Sequence, residues 1–535
     1  MQAKSNLIYL FFAGIPILFL AVFGWFFIPN QEDFIRELFN FCINTALVFS
    51  VVLLFRKFRV FKTLSLIGGG LLSVLLLIKM SFYATYAAKL SASALFVIFE
   101  TNSDEATGFL GNYINLYFIL ISVSLLLYLI LWGWLFSGKK RVVHFGKLER
   151  FWWAINLMLI GITAVSCYLI PYRFSDYNLV YKAESSFQEY QKTKAVLKKS
   201  LGKSSSQAFT QVSKKDSAPR TAVIVIGEST SRANLGIYGY YRNTTPQLQK
   251  LKDSLFIASD VISPHVHTIT SLEKVLTLKS REKQELSENG SIIQLANQAG
   301  YKTYWISNQR PVGFHETIPT LIGSAADEKH FLNTNDYDRQ AYDEVLLTEL
   351  QRALQDPNDY KLIFLHLMGT HIGYAERYPE NFDYFKGKAK TNFPSQKAFD
   401  YINTYDNAVR YNDYIINKII DQVKTSRKPA MMLYFSDHGD DVYGDQNAIG
   451  HSEYIGTDPM FEVPFLLWKS PGLKIDVSRK TLQDRPYMLD DFIHSFSDLM
   501  KIDFEGYQPE KSIFNEQFSP KRRLIKEGEL YEKEN

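Results

Sequence analysis

The chain has 535 residues, 47% hydrophobic, 15% aromatic and 21% charged, and its mean hydropathy is −0.10. This composition excludes a disordered, collagen-like or small disulfide-stapled protein. A balance of 59 Lys and Arg against 55 Asp and Glu, net +4, is too even for a nucleic-acid binder. The mean conceals two classes of sequence. Apolar residues crowd into the first third, and about 360 residues of mixed composition follow, enough for one large domain or two small ones. The two cysteines, Cys42 and Cys167, lie in apolar runs, so the polar part has neither a disulfide nor a Cys-rich metal site.

About 20 apolar residues are needed to cross the hydrocarbon core as a helix. The stretches 7–28, 38–55, 64–83, 113–136 and 151–170 qualify, with Trp25, Trp132, Trp134, Trp152 and Trp153 near their ends, where aromatic belts lie. The first is too long for a signal peptide and lacks a small-residue cleavage site. Lys and Arg are retained in the cytoplasm. The loop with Arg56, Lys57, Arg59 and Lys62 and the loop with Lys139, Lys140, Arg141, Lys147 and Arg150 are therefore inside. The loop with Glu32, Asp33 and Glu37 and the loop with Glu100, Asp104 and Glu105 are outside. This predicts a cytoplasmic N-terminus and an exported part after five crossings. Lys79, inside the third span, is close enough to the outer end to snorkel to water. The loop 86–111, with its apolar patch 94–99, fits an amphipathic helix on the outer surface.

Residues 173–220 read as a helical and then flexible bridge, giving three regions: a membrane domain over 1–172, the bridge, and an exported domain over 221–535. From Thr221 the texture changes. Continuous apolar runs at 222–226, 303–306, 362–367, 430–435 and 463–468 read as buried strands. Helical patterns at 271–278, 291–299, 342–354 and 399–423 lie between them. Strands alternating with helices imply an α/β sandwich around a mainly parallel sheet.

In such sheets ligands bind at the carboxyl ends of the strands, and the unusual polar residues fall there. Ile226 is followed by Gly227-Glu228-Ser229-Thr230-Ser231-Arg232, Leu367 by Met368-Gly369-Thr370-His371, and Phe435 by Ser436-Asp437-His438-Gly439-Asp440. A further segment, 263–270, precedes a helix with the apolar stripe Leu272, Val275 and Leu276, so Thr268 or Thr270 sits near a helix N-terminus that favours anions. Starting that helix near Ile269 puts Thr268 at the N-cap and Thr270 about 200° round the axis.

Glu228, Asp437 and His438 offer two carboxylates and an imidazole, a mixture suited to zinc or, less well, manganese. A metal-bound threonine at a helix N-terminus is a physically sensible nucleophile toward phosphorus. His371 and His451 could hold a phosphate or protonate a leaving oxygen. His265, His267 and His366 read as surrounding or core residues. Taken singly, each motif has a bland reading as a cap or turn; their convergence on one end of one sheet does not.

Together with the spans, these motifs and Tyr238-Gly239-Tyr240-Tyr241-Arg242-Asn243-Thr244-Thr245-Pro246 resemble the bacterial phosphoethanolamine transferases. These are membrane relatives of alkaline phosphatase and sulfatases that include lipid A-modifying enzymes linked to polymyxin resistance. The resemblance implies five transmembrane helices plus an alkaline-phosphatase/sulfatase-like periplasmic α/β domain in the bacterial inner membrane. It implies zinc on Glu228, Thr268, Asp437 and His438, with Thr268 rather than Thr270 as the nucleophile. His371 and His451 would lie near the transferred phosphate, and Thr101 and Glu105 would bind the donor headgroup; Val97 stands where the family has Asn. The implied donor is phosphatidylethanolamine and the implied acceptor a lipopolysaccharide, core or lipid A. The absence of disulfides is similar to the branch that decorates the core. The alternatives are a lipoteichoic-acid-synthase-like glycerophosphate transferase and a catalytically silent envelope sensor or scaffold.

Overall fold

The computed structural model describes residues 2–86, 89, 114, 116–137, 151–280, 289–309, 318–333, 342–426, 428–453, 455–526 and 528–531. The chain divides into two compact units, Met1–Gln191 and Lys192–Asn535.

The first unit contains helices α1 (Gln2–Phe27), α2 (Gln31–Leu54), α3 (Phe61–Tyr86), α4 (Leu116–Ser137) and α5 (Trp152–Arg173). Four of them, α2 to α5, are long and apolar enough to cross a membrane, and α1 is apolar over Phe11–Phe27. Large apolar side chains such as Leu120, Leu127, Leu157 and Ile160 face outward, as expected where the solvent is lipid. An aromatic cluster of Tyr9, Phe49, Phe61 and Trp132 fills the interior of the helix bundle.

Two expectations change here. Glu32, Asp33 and Glu37 belong to α2 itself, which begins at Gln31 with Asn30 as its N-cap. Acidic residues in the first turn suit the positive end of the helix. Lys79 does not snorkel; its side chain is 9% exposed and forms an ion pair with Glu37, while Tyr83 Oη donates to the other Glu37 oxygen at 3.2 Å. A buried carboxylate one helix away is a nearer partner than the water surface. The loop expected to carry an amphipathic helix, with Thr101 and Glu105, lies outside the described residues.

Helix α6 (Leu179–Leu201) leads into the second unit. Its sheet has seven strands: β1 (Arg220–Gly227), β2 (Leu255–Ile257), β3 (Lys302–Ser307), β4 (Glu328–Phe331), β5 (Tyr360–His366), β6 (Ala430–Ser436) and β7 (Phe465–Lys469). Their spatial order is β2-β7-β6-β1-β5-β3-β4. Pairing is parallel from β6 through β4, whereas β7 is antiparallel to both neighbours. All eight residues of β1 are buried, because both sheet faces are covered. Ala222, Ile224 and Ile226 pack into one core, with helices α7 (Thr268–Val275), α8 (Ile292–Gln298) and α11 (Phe492–Met500). Val223 and Val225 pack into the other, with α9 (Val345–Gln355) and α10 (Gln396–Lys424). The alternation follows from the two-residue period of a strand.

Candidate active site

The register of the sheet assembles the site. Gly227 at the end of β1 lies opposite Ser436 at the end of β6, so Glu228 and Asp437 leave adjacent strands side by side. The backbone then turns sharply: Ser229 has φ 56°, a left-handed conformation that costs a non-glycine residue energy and persists only where surroundings enforce it. Those surroundings include Gly369, after β5. Its φ is +55° and a Cβ there would stand 2.8 Å from the Glu228 nitrogen, so only glycine permits this approach. From the other side, Ser271 in α7 donates from Oγ to the Asp437 carbonyl at 2.6 Å, pinning the start of that helix over the strand ends.

Four side chains converge as a result. Thr268 Oγ1 lies 3.1 and 3.2 Å from the two Glu228 carboxylate oxygens and 3.4 Å from His438 Nε2. His438 Nε2 is 3.3 Å from Glu228 Oε1 and 3.5 Å from Asp437 Oδ2. His438 Nδ1 donates to the Gly439 carbonyl at 2.9 Å, which fixes the ring orientation and turns Nε2 toward the cluster. Asp437 uses Oδ1 to accept from the Ser229 and His438 backbone N–H groups at 3.1 and 2.7 Å. Its Oδ2 is buried without a hydrogen-bond partner.

The electrostatics agree. Burial and then the neighbouring Glu228 charge push the Asp437 carboxyl up to about 8. Against burial, the carboxylates push His438 up to about 10, and His438 holds Glu228 well below the usual range. Two buried carboxylates, one of them with an orphaned oxygen, an imidazole nitrogen and a hydroxyl form a donor set that fits a borderline divalent cation. Among the described residues, Glu228, Asp437 and His438 form one potential metal-holding group, and His438, Asp440 and His451 another.

One register expectation is corrected. Thr268 is the first residue of α7, and its N-cap is His267, whose side chain makes no capping bond. The helix starts one residue earlier because the strand-end contacts, not a capping side chain, hold it. Thr270 Oγ1 donates back to the His267 carbonyl at 3.1 Å, whereas Thr268 faces Glu228. Leu272, Val275 and Leu276 are fully buried.

The remaining histidines differ in their situations. His451 Nδ1 is 2.6 Å from Asp440 Oδ1, and Tyr374 Oη donates to Asp440 Oδ2 at 2.6 Å. The Asp440 carboxylate is completely buried. This arrangement keeps the proton on His451 Nδ1 and leaves Nε2 as the nitrogen for other partners. The His451 ring lies 4.2 Å from that of His438 and 5.3 Å from that of His267. His371 follows Gly369 and is near enough for its charge to lower the Glu228 pKa. His267 is neutral, lowered to about 3 by burial and His451. His366 lies under the site, lowered to about 4 by burial. His265 pairs with Glu453 at 3.0 Å. Thr101 and Glu105 lie outside the described residues. Three residues given no role by the sequence also belong to the neighbourhood: Asp440, the last residue of the strand-end motif, Tyr374 and Gln309. Asp440 was visible two positions beyond His438; Tyr374 and Gln309 carry no local signal.

Residues 220–502 match the sulfatase family. The chain is 32% identical over 521 residues to phosphoethanolamine transferase EptC of Escherichia coli K12, covering 92% of this chain and 89% of that one. The crystal structure of the C-terminal periplasmic domain of E. coli EptC in complex with Zn is similar, with TM-score 0.57 and 34% identity over 60% of this chain and 95% of that one. The integral membrane lipooligosaccharide phosphoethanolamine transferase A of Neisseria meningitidis shares the fold over 96% of this chain and 98% of its own, with TM-score 0.63 and 19% identity.

Proposed function

Because this chain belongs to the phosphoethanolamine transferases within the sulfatase family, we propose that Thr268 carries phosphoethanolamine covalently between a phosphatidylethanolamine donor and a lipopolysaccharide acceptor. The protein is a metal-dependent phosphoethanolamine transferase, an inner-membrane protein with a periplasmic catalytic domain. Its acceptor is a lipopolysaccharide glycolipid, a reading supported by a Salmonella typhimurium relative that is by name a Kdo(2)-lipid A phosphoethanolamine 7''-transferase.

The observation that carries the reading is the convergence of the Thr268 hydroxyl with the Glu228 carboxylate, His438 Nε2 and the orphaned Asp437 Oδ2. Glu228, Thr268, Asp437 and His438 hold zinc, which supplies charge stabilisation on a phosphoryl oxygen and lowers the pKa of a coordinated hydroxyl. Thr268, held at the start of α7, directs Oγ1 toward phosphorus with the helix N-terminus beneath the phosphate oxygens. The Thr268 O–P bond forms as the bond to diacylglycerol breaks. The Thr268 hydroxyl proton passes to His451 Nε2, left unprotonated because Nδ1 holds its proton toward Asp440, and from there to the leaving diacylglycerol oxygen, while His371 faces the phosphate from the β5 side. An acceptor hydroxyl or phosphate oxygen then takes the group and frees Thr268. Thr101 and Glu105 serve the donor headgroup. The loop charges support a cytoplasmic N-terminus.

Neither alternative is favoured. A relative spanning 92% of this chain is a phosphoethanolamine transferase rather than a glycerophosphate transferase, and the complete donor set argues against a silent scaffold. Mass spectrometry of the Thr268 peptide from protein incubated with phosphatidylethanolamine tests the reading. A phosphoethanolamine adduct on Thr268, absent in Thr268→Ala and retained in Thr270→Ala, is expected. An adduct on Thr270, a glycerophosphate adduct, or unchanged transfer by Thr268→Ala would overturn it. Lipopolysaccharide mass spectra with and without the gene identify the acceptor.

A further inference from the structure

Gln309 lies two residues beyond the end of β3, and β5 separates β3 from β1 in the sheet. Its side chain nevertheless reaches the β1 end. Nε2 is 2.9 Å from Glu228 Oε2 and 3.0 Å from the Leu367 carbonyl. Both contacts are acceptors, so the amide can be oriented only with its nitrogen toward them; the opposite flip would set Oε1 against two oxygens. The two N–H hydrogens of one amide are thereby fully used. The Gln309 backbone is also tied down, its N–H donating to Ser307 Oγ at 3.1 Å.

We propose that Gln309 is a positioning residue for the metal centre: it holds Glu228 Oε2 away from the cation and leaves Oε1 to bind. This rests on the zinc reading above. Oε1 is the oxygen turned toward His438, 3.3 Å from His438 Nε2; Thr268 Oγ1 lies between the two oxygens, 3.1 Å from Oε1 and 3.2 Å from Oε2, and Ser229 Oγ donates to Oε1 at 2.9 Å, which leaves Oε1 a second lone pair for the metal. A neutral amide suits the task, since it restrains the carboxylate without cancelling the negative charge that the metal needs. A lysine would neutralise Glu228, and a glutamate would repel it. Groups that orient metal ligands in this way typically change metal affinity by about 10–100-fold when removed.

The test uses the purified full-length protein in detergent, with zinc affinity measured by competition against a chelating dye and transfer measured across a zinc titration. Gln309→Met keeps the side-chain length and loses the donor. Gln309→Asn keeps the donor but falls about one bond length, roughly 1.5 Å, short of Glu228. Both are expected to bind zinc about 10–100-fold more weakly and to regain transfer at saturating zinc. Wild-type zinc affinity in Gln309→Met, or lost transfer that excess zinc does not restore, would overturn the proposal. Asp437→Ala is the control: if it holds zinc as tightly as wild type, the metal reading itself fails; if it loses zinc while Gln309→Met does not, only the role of Gln309 fails.

Discussion

Asp440→Asn separates the charge behind His451 from the geometry around it. The carboxylate accepts from His451 through one oxygen and from Tyr374 through the other, both at 2.6 Å, and is itself fully buried. An asparagine of the same shape can keep both bonds, because Tyr374 Oη can reverse from donor to acceptor and let the amide nitrogen face it. What disappears is the charge. Hydrogen bonds to a charged group contribute about 1.5–3 kcal/mol and neutral ones about 0.5–1.5 kcal/mol, so roughly 1–1.5 kcal/mol of support for a protonating His451 is lost. At 1.36 kcal/mol per tenfold, that is about a tenfold fall in turnover. The inverted amide, with nitrogen toward His451, would force the proton onto Nε2 and stall the histidine, extending the loss to roughly 100-fold or more. The assay is single-turnover formation of the Thr268 adduct, alongside zinc content and thermal stability. Normal zinc, normal stability and turnover within twofold of wild type would refute the idea that Asp440 works through His451. Asp440→Leu is a poorer probe, since it strands two buried donors at about 1–3 kcal/mol each and confounds stability with rate.

Arg242→Met should destabilise the protein, because Asp406, buried and already pushed up to about 6 by burial, loses its 2.7 Å partner; breaking a buried pair costs about 3–5 kcal/mol. The sign with pH follows: Asp406 has a folded pKa above the unfolded value of about 3.9, so it penalises the fold above pH 6 and the penalty fades as pH falls toward 4. The variant's deficit in melting temperature should therefore be larger at pH 8 than at pH 5, and the opposite order would count against it. Lys79→Met should leave Glu37 buried and uncompensated and lower the thermal stability of the detergent-solubilised protein by a similar amount, whereas the double variant Lys79→Met with Glu37→Leu should recover most of it; a single variant as stable as wild type would contradict the pairing. Dialysis against a chelator should abolish adduct formation and zinc should restore it, and activity that survives complete zinc removal would exclude the proposed donor set.

The amino-acid sequence by itself determined the membrane helices, the five principal strands and the polar strand ends. Each of these is a statement about a residue's own surroundings. A run such as Ala222-Val223-Ile224-Val225-Ile226 must be buried on both faces wherever it lies, and a Glu that follows it must stand at the rim of a sheet. The short strands β2 and β4, of three and four residues, carry too few positions to show a period. The reversed direction of β7 is likewise absent from its composition; the chain leaves β6 at the site end and returns from that same end, and only the connection settles the direction. Lys79 with Glu37, Asp440 with Tyr374 and Gln309 with Glu228 are separated by 42, 66 and 81 positions. Such pairs form when register and crossover order bring two elements together, and no local pattern encodes them, because the energy of each contact depends on a partner placed by the rest of the fold.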